Sequence, residues 1–149
     1  MTIARATAAL CMLGACAALP ARAAISIAGG GFIQDRPSQS GVAAVLSSGT
    51  SLPKLPVQAQ ASLLVPLAGR GGYALTGEIK GLTGGGFGGA YIGAGAGFGS
   101  LSVDGSTGPV VAVFAGKSIA RLTAVELRFY KGTREGGSSA GFIGVRFSL

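Results

Sequence analysis

At 149 residues the chain is long enough for one domain. Its 28 glycines, 11% charged residues and mean hydropathy of +0.56 exclude a disordered tail, which would be charged and poorly apolar. Glycine does not recur at every third position, so collagen is excluded too, and scattered Lys and Arg without interleaved aromatics argue against nucleic-acid binding.

The first 23 residues read as a secretory signal: a basic start ending at Arg5, an apolar run of small residues over 6–19, and Ala21-Arg22-Ala23 as a peptidase site. Leu13-Gly14-Ala15-Cys16 offers a second processing site, of lipoprotein type, at Cys16. Both cysteines, Cys11 and Cys16, lie in this leader. Cleavage after Ala23 leaves a mature chain, 24–149, with neither disulfide nor thiolate site. The sequence contains no histidine, so His-ligated zinc and haem are excluded and no cofactor is expected. Loss of Arg5 and Arg22 from the formal +7 leaves +5, which suits anionic lipid headgroups.

Residues 25–33 form the first expected strand, with Ile25, Ile27, Gly29, Gly31 and Ile33 on one face. A polar loop over 34–40 and a short second strand over 41–46 follow. The Ser/Pro/Gly-rich residues 47–56 are expected to be irregular. Strand three, 57–67, alternates Val57, Ala59, Ala61, Leu63 and Val65 with Gln58, Gln60, Ser62, Leu64 and Pro66. A glycine turn over 68–72 leads to strand four, 73–80, where Leu75 and Ile79 oppose Thr76, Glu78 and Lys80.

The glycine-dense connection 81–89 has no legible ends. Strand five, 90–99, sets Gly93, Gly95, Gly97 and Gly99 against Ile92, Ala94, Ala96 and Phe98, a pattern that suggests crowding on the glycine side or a sharp barrel bend. Asp104-Gly105 marks a turn before strand six, 110–116, and a short turn is expected over 117–120. Strand seven, 122–130, opposes Glu126, Arg128 and Tyr130 to Val125, Leu127 and Phe129. After a loop over 131–139, strand eight, 140–149, carries Gly141, Ile143, Val145, Phe147 and Leu149 on one face and Arg146 on the other.

Eight strands with one apolar and one polar face suit either a barrel in lipid with a polar lumen or a soluble exported lipocalin-like barrel holding an apolar ligand. The polarity decides. Charges within strands are few and share a face with Gln, Ser and Thr, leaving too little polar surface to solvate the outside of a soluble domain. The expected fold is therefore all-β: an eight-stranded antiparallel up-and-down transmembrane barrel.

Three stretches strengthen this expectation. Tyr91-Ile92-Gly93-Ala94-Gly95-Ala96-Gly97-Phe98-Gly99 resembles the "Y-x-G-x-G-x-G-aromatic" strand of the small opacity/OmpA-like outer-membrane β-barrel family. Glu126-Leu127-Arg128-Phe129-Tyr130 is similar to that family's penultimate strand, and 141–149 to its closing strand. The chain departs at Leu149, where the family ends on an aromatic; here the aromatic is Phe147. The resemblance implies an eight-stranded monomeric barrel in the Gram-negative outer membrane, bounded by outer-membrane lipid and inserted by the outer-membrane assembly machinery.

Without histidine a Ser-His-acid triad cannot form, and no motif supports a Ser-Lys dyad from Ser62 with Lys80 or Ser118 with Lys117, so no enzyme is expected. Neither Gly29-Gly30-Gly31 nor Gly84-Gly85-Gly86 precedes the Lys-Ser/Thr that a phosphate loop needs. Glu78, Lys80, Glu126, Arg128 and Arg146 share inward faces. One reading is a charged lumen that gates small ions; because an eight-stranded barrel is just wide enough for side chains to fill, these five are expected instead to plug the lumen as paired charges. The family topology puts Asp35, Arg36, Arg134 and Glu135 in loops outside the cell, where they are the expected partner contacts of a structural or surface-interaction barrel.

Overall fold

The two-residue periodicity becomes eight antiparallel strands in the computed structural model, which describes residues 24–36, 38–52, 55–67, 71–83 and 89–149. They are β1 (Ala24–Gln34), β2 (Gln39–Ser51), β3 (Val57–Pro66), β4 (Ala74–Thr83), β5 (Ala90–Gly99), β6 (Gly108–Ala120), β7 (Thr123–Gly132) and β8 (Ser139–Ser148). Each pairs with its sequence neighbour, and β1 pairs with β8 from Ser26↔Ser148 to Gln34↔Ala140, so the sheet closes into a barrel. Closure leaves the described strands no free edge. The expected leader (1–23), the tip of the 68–72 turn and most of the 81–89 connection lie outside the described residues.

Two expected irregular stretches are strand. Residues 47–51 extend β2, in register from Ser47↔Ser62 to Ser51↔Gln58. Residues 117–120 extend β6 to a turn at Arg121 and Leu122, with a register shift between Ser118 and Ala120. Residues 47–51 are all small or polar, and 117–120 are so apart from Ile119, a composition that marks a loop in a protein whose strands pack on an apolar core. Here the polar face turns to the barrel axis: Ser47 Oγ lies 3.0 Å from Ser62 Oγ.

The polarity is inside-out. Leu75 is 40% exposed and Ile79 52%, whereas Glu78 is 3% exposed and Lys80 7%. The same alternation runs around the barrel, with Ile27, Leu46, Ile92, Val113, Leu127 and Ile143 all outward and exposed. Among the described strand residues, outward-facing charges occur only at Lys117 and Lys131, near opposite ends of the barrel.

The glycine face of β5 is crowded as expected. A Cβ on Gly95 would lie 2.6 Å from Glu78 Cγ and 2.3 Å from the Gly77 carbonyl oxygen, and one on Gly93 would lie 2.2 Å from Phe114 Cζ. The missing side chains are what let Glu78 and Phe114 lie flat against this wall of the lumen.

Candidate functional site

The interior is stacked in three layers along the barrel axis. Nearest the 35–38, 100–107 and 133–138 loops it is apolar: Phe32, Val45, Leu64, Val110, Tyr130 and Phe142 form one buried cluster with Leu101. Leu101 comes from the β5–β6 loop, whose backbone is fixed by Ser138 N–H donating to the Leu101 carbonyl at 3.0 Å. The expectation of a polar lumen is thus corrected for this end. Inward positions alternate by backbone geometry whatever their chemistry, and here the sequence fills them with aromatic and aliphatic groups.

The middle layer is charged. Arg128 reaches both carboxylates: its Nη1 donates to Glu78 Oε1 at 2.7 Å and its Nε to Glu126 Oε1 at 2.5 Å. Glu78 Oε1 also accepts from Thr76 Oγ1 at 2.6 Å, while its Oε2 accepts from Gln60 Nε2 at 2.6 Å and Ser62 Oγ at 2.8 Å. Glu126 Oε2 accepts from Tyr91 OH at 2.7 Å and Arg146 Nη1 at 3.0 Å. The Arg128 guanidinium lies over the Phe114 ring, 4.4 Å from its centroid. Both carboxylates are thereby surrounded by donors, the condition under which a buried ion pair is tolerated.

The third layer lies toward the chain termini. Arg146 Nε donates to Ser26 Oγ at 2.9 Å and its Nη2 approaches Gln60 Oε1 at 3.5 Å. Lys80 stands apart from the network: its Nζ sits 4.9 Å from the centroid of the Tyr91 ring and has no hydrogen bond or ion pair among the described residues. The structure therefore brings four of the five expected lumen charges into one linked set and leaves Lys80 beside it.

Of the four expected outer contacts, all are exposed. Asp35 has an internal role. Its Oδ1 accepts from the Ser139 N–H at 2.6 Å, and its own N–H donates to the Ser139 carbonyl at 3.0 Å, joining the β1 and β8 ends. That backbone bond, helped by the positive charge of Arg36, holds the Asp35 carboxyl below its usual pKa. Arg36 Nε lies 4.0 Å from Asp35 Oδ2. Arg134 contributes its backbone carbonyl to a bond from Gly137 N–H at 2.8 Å, and Glu135 stands in solvent. In the β5–β6 loop, Ser106 N–H donates to Asp104 Oδ1 at 3.0 Å and lowers the Asp104 pKa to about 2.

Gln60, Ser62, Thr76 and Tyr91 complete the charged layer, and sequence reasoning assigned none of them a role there. Their shared inward parity with Glu78 and Glu126 was the available signal. Among the described residues no cluster of His, Cys, Asp and Glu could hold a metal ion.

The fold is similar to that in the crystal structure of Neisserial surface protein A (NspA), with a TM-score of 0.62 over 85% of this chain and 97% of that one. The two sequences are 13% identical, so the likeness is one of fold. No protein-family model matches the chain, and no curated protein matches it in sequence.

Proposed function

We propose that the chain is a structural or surface-interaction barrel of the Gram-negative outer membrane, exported by its 1–23 leader, with a lumen closed to ions. The observation that carries this reading is the polarity: apolar side chains cover the outside and the charges Glu78, Glu126, Arg128 and Arg146 are buried within. Such a surface would cost a soluble domain its solvation, and it matches the apolar band of barrels in lipid. Strands of ten residues, rising about 3.3 Å each and tilted about 40°, span about 25 Å, the height of that band. The likeness to a barrel named as a surface protein fits this reading.

Closure of the lumen is supported by the apolar layer around Leu101 and by the fully paired carboxylates beneath it. With no histidine in the chain, no catalytic role is assigned. Asp35, Arg36, Arg134 and Glu135 would face the cell exterior as contacts for a surface partner, and the barrel would act as a monomer after insertion by the assembly machinery. Carbonate washing of cell envelopes, with heat-modifiable migration on unboiled gels, tests the placement. Retention in the pellet and a heat-dependent band shift are expected; release into the soluble fraction would overturn it.

A further inference from the structure

We propose that the mouth of the barrel at its terminal end is a binding site for a single phosphate-type oxyanion, held by Lys80. A cavity of about 120 Å³ opens there, lined by Lys80, Tyr91, Ser118, Arg121, Arg146 and Ser148 among others. Water occupies about 30 Å³ in the liquid, so the space admits a group of a few heavy atoms and little more.

The charge balance of the interior asks for an anion at this point. Among the described residues three buried cations, Lys80, Arg128 and Arg146, face two buried carboxylates, Glu78 and Glu126. Both carboxylates are already engaged by Arg128, Arg146, Tyr91 and their polar neighbours, and none of those bonds comes from Lys80. Lys80 is more than nine-tenths buried and borders the cavity; its ammonium has three N–H donors and lies against the Tyr91 ring, with the charges of Glu78, Glu126, Arg128 and Arg146 acting on it through space and no hydrogen bond to any of them. A buried ammonium without a partner is costly, and an oxyanion would supply the missing acceptors. The Ser118 and Ser148 side chains take inward strand positions on the cavity wall, available as hydroxyl donors, and Arg121 stands exposed at its rim. Among the described residues the opposite end of the lumen is filled by the apolar cluster around Leu101, so the pocket is approached from the terminal side.

The anion could be free phosphate or the phosphate of a lipid headgroup. The lipid source rests on the membrane placement proposed above; the free source does not. The test uses the full mature chain refolded in maltoside micelles, which carry no phosphate, with folding checked by heat-modifiable migration. Titration with inorganic phosphate is expected to show saturable one-site binding. Lys80→Met is expected to weaken it about tenfold or more, as loss of one charged hydrogen-bonding group implies. Lys80→Arg and Lys117→Met, the latter outside the lumen at the same end, are expected to stay within a few-fold of wild type. Competition by short-chain phosphatidic acid, but not by an uncharged diacylglycerol, would identify the headgroup as a source; its failure beside intact phosphate binding would identify free phosphate. If Lys80→Met does not fold, Arg121→Met and Ser118→Ala are expected to weaken binding in its place. Absence of saturable phosphate binding, or equal losses in Lys80→Met and Lys117→Met, would overturn the site. Carbonate fractionation of the same wild-type chain keeps that failure separate from failure of the membrane placement.

Discussion

Arg128 of β7 and Glu78 of β4 meet at 2.7 Å across the barrel, 50 residues apart in sequence, with both side chains shut off from solvent. Neither is redundant, because Arg128 also holds Glu126 while Glu78 also holds Gln60, Ser62 and Thr76. Arg128→Met should therefore leave Glu78 buried without a cation and Glu126 with Arg146 alone, and destabilise the barrel by about 3–5 kcal/mol. The double substitution Glu78→Met with Arg128→Met should cost less than the two singles added together. Urea unfolding of the micelle-embedded barrel, followed by circular dichroism, would measure the coupling; strict additivity would mean that the pair contributes nothing as a pair.

The two sides of the β4–β5 ladder should respond oppositely to one methyl group. Gly95 faces the lumen, where a Cβ meets the Gly77 carbonyl oxygen at 2.3 Å, and Gly77 faces outward, where the nearest atom is 3.9 Å away. Gly95→Ala should destabilise by about 1–3 kcal/mol through overpacking. Gly77→Ala should be neutral or stabilising by about 0.4–1 kcal/mol, since it restricts the unfolded chain without a clash. The same unfolding assay reads both, and a reversed order would contradict the inward direction of the β5 glycines.

Planar-bilayer recording of the wild-type barrel should show no steady open channel. The expectation rests on Phe32, Tyr130, Phe142 and Leu101, which belong to one buried apolar cluster at one end of the lumen. Persistent unitary conductance would disprove the closed lumen.

The Asp35–Ser139 contact should weaken in acid. The carboxyl is held below its usual value of 3.8 by the Ser139 N–H, so its contribution is complete above pH 3.8 and is lost as pH falls through the lower folded value. The Ser139 amide proton shift, followed by NMR from pH 6 downward, should stay constant to about pH 4 and then titrate. Asp35→Asn should abolish that titration. A shift that moves instead near pH 6 would point to another group.

Which side faces out was legible in the sequence for the strands other than β2 and β6, which are apolar on both sides over 41–46 and 110–116, and the reason is local: successive side chains leave a strand in opposite directions whatever the rest of the fold does. Leu75 and Ile79 outside, with Glu78 and Lys80 inside, follow from that rule and from the preference for keeping charge away from oil. A closed barrel was expected, but which side chains register and curvature bring together lay beyond that rule. Register and curvature decide that Arg128 takes both carboxylates while Lys80, two positions from Glu78, is left against the Tyr91 ring. They also make strands of 47–51 and 117–120, which only a partner across the ladder distinguishes from loop. Leu101 is the clearest case. Nothing in its neighbourhood marks it as buried, and only the converging ends of the loops bring it over the mouth of the barrel, because burial there is a property of the assembled wall.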